Sequence, residues 1–234
     1  HHQFRLLRAI KNRFGATNEL GVFQMQNSGL SEVQNPSEFF LEDRNLEAIG
    51  SSIFAAMEGT RPLLCEIQAL TASSPTAMPR RTALGFDHNR VHMILAVLDK
   101  FLKIDSSHAD VFINVVGGLR VTEPAADLAA AAAILSSASG SSLSGATCFF
   151  GEIGLTGEVR AANFAIERVK EAVKLGFQRI VLPESNRKHM SDEWKNQPVT
   201  FIFIKEVRDL MRLVSGSQKK PHKSLQVPKT SLDL

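Results

Sequence analysis

Residues 124–135, Pro-Ala-Ala-Asp-Leu-Ala-Ala-Ala-Ala-Ala-Ile-Leu, constrain the fold more than any other stretch. Alanine is the strongest helix former and gives a strand little to pack with. The run therefore reads as a helix, with Pro124 in its first turn and Thr122 or Glu123 able to cap it. It is too short for a membrane span and carries Asp127, and no 18-residue apolar stretch occurs elsewhere. So thin a helix lets a sheet approach closely, which suits a packing element without chemistry of its own.

Strand and helix signals alternate around it. Residues 111–116 (VFINVV) are nearly all apolar, as in a strand covered on both faces. Residues 147–153, 155–161, 179–182 and 200–204 read as further strands. Val91, Ile94, Leu95, Leu98, Phe101 and Leu102 share one helical face, with Asp87 or Asn89 as cap. Ile166, Val169, Ala172 and Val173 share another, stopped by Gly176, and residues 207–214 give a last helix. Earlier, residues 4–14 and 20–25 pair around a turn at 15–18, and 52–57 with 62–71 around 58–61. Residues 73–81 and the serine-rich 136–145 read as loops. The alternation predicts an α/β (α+β) fold, a mixed sheet packed by helices. Three segments are expected: 1–40, 41–214, and a basic tail at 215–234 that reads as disordered.

The net charge of +3 is unevenly placed. Residues 1–15 carry Arg5, Arg8, Lys11 and Arg13 without an acid, and the tail carries four lysines against Asp233, so the body between them is net acidic. A basic chain is then no proof of a basic globular surface. Cys65 and Cys148 lie far apart in apolar runs, which suits buried thiols in a reducing compartment and not a zinc site. His88 and His92 are four apart but lack a nearby third ligand. No G-x-x-x-x-G-K-[ST] loop is present, and Gly151, Gly154 and Gly157 do not open a helix as a dinucleotide fingerprint would. His1 and His2, with no initial Met, are expected to be the remnant of an affinity tag on a piece of something longer.

Lys11-Asn12-Arg13-Phe14-Gly15 delivers two cations to a turn glycine beside an aromatic. Such a pair suits phosphate oxygens, but on residue types alone a solvated basic strand is the favoured reading, since isolated basic runs are common on surfaces.

With these five residues go Gly21-Val22-Phe23, Asn35-Pro36-Ser37, Arg61-Pro62, Pro79-Arg80-Arg81, Gly85-Phe86-Asp87, Asn114-Val115-Val116-Gly117-Gly118, Glu123-Pro124-Ala125-Ala126-Asp127 and Phe150-Gly151-Glu152-Ile153-Gly154-Leu155. The set resembles the bacterial RadA/Sms family of DNA recombination and repair ATPases over about residues 4–214. The resemblance implies the C-terminal hairpin of a RecA-like ATPase core at 1–40, then a Lon-protease-like domain. Full-length members would add a zinc finger and a phosphate-binding loop, with ATP and magnesium. Lys11 to Gly15 would serve nucleotide-coupled work in a ring, expected to be hexameric.

In Lon-type peptidases a serine and a lysine form the catalytic dyad. Here the resemblance places Ala125 at the serine, and Ile166 at the lysine, or Arg168 if a loop is two residues longer. Alanine has no nucleophile, isoleucine no base, and arginine stays protonated. Peptidase chemistry by this route is not expected. A residual peptidase using another serine such as Ser136, and a purely oligomerising module, are the rival readings. DNA contact is the main expectation, with single-stranded or branched DNA held through Arg80, Arg81, Arg90, Lys170 and Lys174 by their charge alone. A RecA-type recombinase is the expected protein partner. The expected compartment is the bacterial cytoplasm, or an organelle in a eukaryote.

Overall fold

The computed structural model describes residues 4–8, 20–26, 29–33, 35–190, 194 and 197–215. Strands β1 (Phe4–Arg8), β2 (Leu20–Gln26) and β3 (Gly29–Glu32) form an antiparallel sheet, with Phe4 opposite Gln24 and Arg8 opposite Leu20. This is the expected first hairpin. Its turn, and with it Lys11 to Gly15, lies outside the described residues, as does the tail beyond Ser215. Helix α1 (Pro36–Phe40) follows, capped by Asn35, and places Phe40 in the core.

The centre is a seven-stranded mixed sheet. Strands β4 (Ser51–Glu58) and β5 (Arg61–Ser73) form its antiparallel hairpin, turning at Gly59-Thr60 as expected. On one side β7 (Ala109–Val115) pairs antiparallel with β5, and β6 (Arg81–Leu84) lies parallel to β7 at the edge. On the other side β8 (Thr147–Phe149), β11 (Arg179–Pro183) and β12 (Thr200–Ile204) run parallel to β4 in that order. Residues 52–56 and 63–67 are buried without alternation, so both faces of the hairpin are covered. The cover comes from α3 (Asp127–Ser139) and from α1 with α4 (Ala165–Lys174). Helix α2 (His88–Leu102) packs on α3 and β6, and α5 (Met211–Ser215) closes the chain of elements.

Helix α3 is buried on all sides from Asp127 to Ser136, as a column of alanines permits. Four local expectations are corrected. The loop expected from Ser136 starts only at Gly140, because Ser136 and Ser137 bond outward to the Gly50 and Thr71 amides and leave the helix intact. The strand expected at 147–153 is split: Gly151 breaks it to donate to the Ala125 carbonyl, so β9 (Glu152–Ile153) leaves the sheet and pairs with β10 (Val159–Arg160). Arg81, expected in a loop, begins the edge strand β6, which alternates half-buried and exposed residues. Glu123 does not cap the alanine helix, because its carboxylate is engaged elsewhere.

Candidate functional site

Among the residues that the sequence singled out, Ala125, Arg90 and Arg168 meet at the short 3₁₀ turn Pro124–Ala126, between the sheet and the start of α3. An ion pair secures each end of that turn. Before it, Glu123 accepts from Arg168 and from the Met57 amide at 2.7 Å. After it, Asp127 accepts from Arg90 Nε at 2.8 Å, from a second Arg90 nitrogen, and from the Ile153 amide at 3.1 Å. Between them Ala125 accepts from the Gly151 amide at 2.7 Å, and the Gly151 carbonyl accepts from Leu128 at 3.0 Å.

Arg168 is the unusual member. Ala165, Arg168, Val169 and Ala172 form the buried face of α4, so a guanidinium occupies a core position of an apolar stripe. Its side chain is 2% exposed and that of Glu123 25%. All three of its nitrogens donate: Nε bonds Asn163 O at 2.9 Å, and the terminal nitrogens reach Ala55 O and Glu123. The cation also lies 5.8 Å from the ring centres of both Phe54 and Phe150. A buried charge is tolerable only when paired and hydrogen-bonded in this way.

Of the two positions considered for the lysine, Arg168 is the one brought to the turn that carries Ala125. Ile166 is half-buried and borders a groove near Phe164, whose φ of 55° is unusual for a bulky residue. No nucleophile and base meet here: the turn offers alanine, and the nearest cation stays protonated. Burial raises both thiols, Cys148 to about 12, so neither is a reactive thiolate. Ser136 is fully buried; its hydroxyl accepts from the Gly50 amide at 2.9 Å and donates to Ser141 O at 2.7 Å. It is a structural cap, which corrects the expectation of a possible nucleophile.

A cleft of about 270 Å³ opens beside Asp127, lined by Arg90, Glu152, Leu155, Glu158 and Arg160. Burial raises the Asp127 carboxyl, against the pull of Arg90 and the Ile153 amide. Glu158 is held down at about 2, chiefly by its bonds from Thr156 and its own backbone, with Arg160 adding to them.

The five expected DNA-facing cations separate into two groups. Arg90 is bound to Asp127, and Arg81 spends its guanidinium on the carbonyls of Arg80, Ala109 and Ser106. Those two hold the fold together. Arg80 lies 3.2 Å from Asp110 yet keeps a side chain 67% exposed. Lys170 and Lys174 project from the exposed side of α4, Lys174 4.0 Å from Glu171 and Lys170 without an ion pair among the described residues.

Sequence comparison places this arrangement among known proteins. The DNA repair protein RadA of Bacillus subtilis is 48% identical over 217 residues, covering 92% of this chain and 46% of that protein. The chain belongs to the RadA family. RadA of Brucella abortus is 47% identical over 94% of the chain, and RadA of Streptococcus pneumoniae 46% identical over 88%. The chain spans about half the length of these curated relatives, 46% and 49% of the latter two. A family model described as subunit ChlI of Mg-chelatase also matches residues 75–186, from the loop before β6 into the 3₁₀ turn that follows β11. The Glu123–Arg168 and Arg90–Asp127 pairs escaped sequence reasoning. The available signal was Arg168 itself, a charge in step with Ala165, Val169 and Ala172, which demands a buried partner.

Proposed function

We propose that this chain is the non-catalytic, Lon-protease-like C-terminal part of a RadA-type DNA repair protein, acting as a DNA-binding and ring-forming scaffold. The observation that carries the reading is the relationship to DNA repair proteins across 92% of the chain. It is supported by the Glu123–Arg168 pair, which fills with a structural contact the place where a peptidase would need a free base. The DNA surface is assigned to the exposed cations Lys170, Lys174 and Arg80, which bind phosphates by charge and not bases by shape.

The parent protein would be an ATP-driven motor on single-stranded or branched DNA, assembled as a hexameric ring in the cytoplasm and working with a RecA-type recombinase. Residues 11–15 would couple nucleotide hydrolysis to that work. The residues present do not fit the cofactors themselves: the sequence has no phosphate-binding loop, both cysteines are buried, and no cluster of three or more His, Cys, Asp or Glu occurs among the described residues. ATP, magnesium and zinc would be held by the part of the relatives that this chain does not span. No helix among the described residues is long and apolar enough to cross a membrane, and the proposal needs none.

Fluorescence anisotropy with labelled single-stranded DNA tests the reading, repeated on a chain lacking residues 216–234 to separate the tail's lysines. Salt-sensitive binding that survives the deletion is the expected result. Binding only with the tail present, or none at low salt, leaves an oligomerising module and sinks the DNA assignment.

A further inference from the structure

We propose that His88 and His92 form a surface site for a divalent transition-metal ion of the nickel–copper–zinc class, completed by water or by a donor from another molecule. The two residues stand four apart in the first turns of α2, whose start is fixed by Asp87 accepting from the Arg90 amide at 2.9 Å. That spacing puts both rings over one helix face. Their Nε2 atoms lie 3.1 Å apart, with ring planes crossing at 74°.

Two nitrogens bound to one ion at about 2.1 Å are separated by about 3.0 Å at a right angle and by about 3.4 Å at a tetrahedral angle. The observed separation falls between these limits, so chelation requires no shift of the helix. Without an ion, the contact is a single N–H···N hydrogen bond that needs one ring protonated on Nε2 and the other bare. An ion uses the lone pairs of both. Both residues are exposed, and neither ring pairs with an acid among the described residues, so an ion competes only with the bond between the two rings.

No third His, Cys, Asp or Glu completes a cluster there among the described residues. The protein therefore supplies a two-imidazole bite, open on its outer side, instead of a closed structural cage. Imidazole donors favour nickel, copper and zinc over magnesium or calcium. Bridging the first and second turns of α2 favours the folded helix, so the ion raises thermal stability by mass action.

The test is titration calorimetry with Ni²⁺, alongside thermal unfolding in its presence, on the full chain carrying H1S/H2S to remove the N-terminal imidazoles. One saturable site and a higher melting temperature with Ni²⁺, but not with Mg²⁺, are expected. His88→Gln and His92→Gln should each weaken binding by at least about tenfold, the lower bound for losing even an outer-sphere partner, without moving the metal-free melting temperature. Ni²⁺ affinity unchanged in both single variants overturns the proposal. So does binding that disappears with H1S/H2S alone.

Discussion

Replacing Arg168 with alanine should be among the most damaging single changes in the α4 face. The guanidinium leaves a carboxylate three-quarters buried at Glu123 and strands the carbonyls of Ala55 and Asn163. Breaking a buried pair by removing one partner costs roughly 3–5 kcal/mol. Partial exposure of Glu123 and its bond from Met57 hold that cost to the lower end, while each orphaned carbonyl adds about 1 kcal/mol. The expected loss is about 5 kcal/mol, a fall of roughly 10–20 °C in melting temperature for a domain of this size. Urea unfolding should show a lower midpoint with an unchanged slope. The double variant R168M/E123Q should recover more than half of the loss, because glutamine still accepts from Met57 and no charge stays buried. A loss within about 1 kcal/mol for Arg168→Ala would refute the reasoning, since the pair would then behave as a solvated surface contact.

Arg90→Ala should cost about 3 kcal/mol by stranding Asp127, whose side chain is 1% exposed, and should be read as a folding defect before any DNA-binding change is interpreted. Ser136→Ala should cost about 1–3 kcal/mol in denaturant unfolding, through the Gly50 amide and Ser141 carbonyl it leaves unpaired. Gly50→Ala should destabilise by at least about 1 kcal/mol, because φ is +80° and the new carbon would sit 2.2 Å from the Ala69 carbonyl oxygen. Glu158 binds its proton less tightly when folded, so its contribution is complete above the ordinary carboxylate range and is lost as pH falls toward about 2. Thermal unfolding followed from pH 5 to pH 2 should therefore fall less steeply in Glu158→Gln. Asp127, raised by burial, acts in the opposite sense, its charged form becoming a liability as pH rises.

Periodicity and turn chemistry carried much of the fold. The β4–β5 hairpin, the amphipathic stripes of α2 and α4, and strands β11 and β12 were legible, because each is specified by its own residues. What escaped depends on distant partners. Residues 147–153 look like one strand until the Ala125 carbonyl claims the Gly151 amide, and four residues at 81–84 form a strand only because β7 offers an edge. The site follows the same division. Ala125 was legible from its motif, whereas Arg168 could be matched with Glu123 only when the fold brought positions 45 residues apart together. Likewise Arg81 and Arg90 look like free cations in the sequence, and become structural only beside the carbonyls and the carboxylate that consume them.

The central proposal is that exposed cations of this domain bind nucleic acid while the turn at Ala125 serves only the fold. Its most direct test is the salt dependence of single-stranded DNA affinity in the parent and in K170E/K174E, with melting temperatures measured in parallel. Removing two phosphate contacts should flatten the log–log salt slope by about 1.4 and weaken binding at every salt concentration, with an unchanged melting temperature. An unchanged slope in a folded double variant would contradict the account and move the DNA surface away from α4.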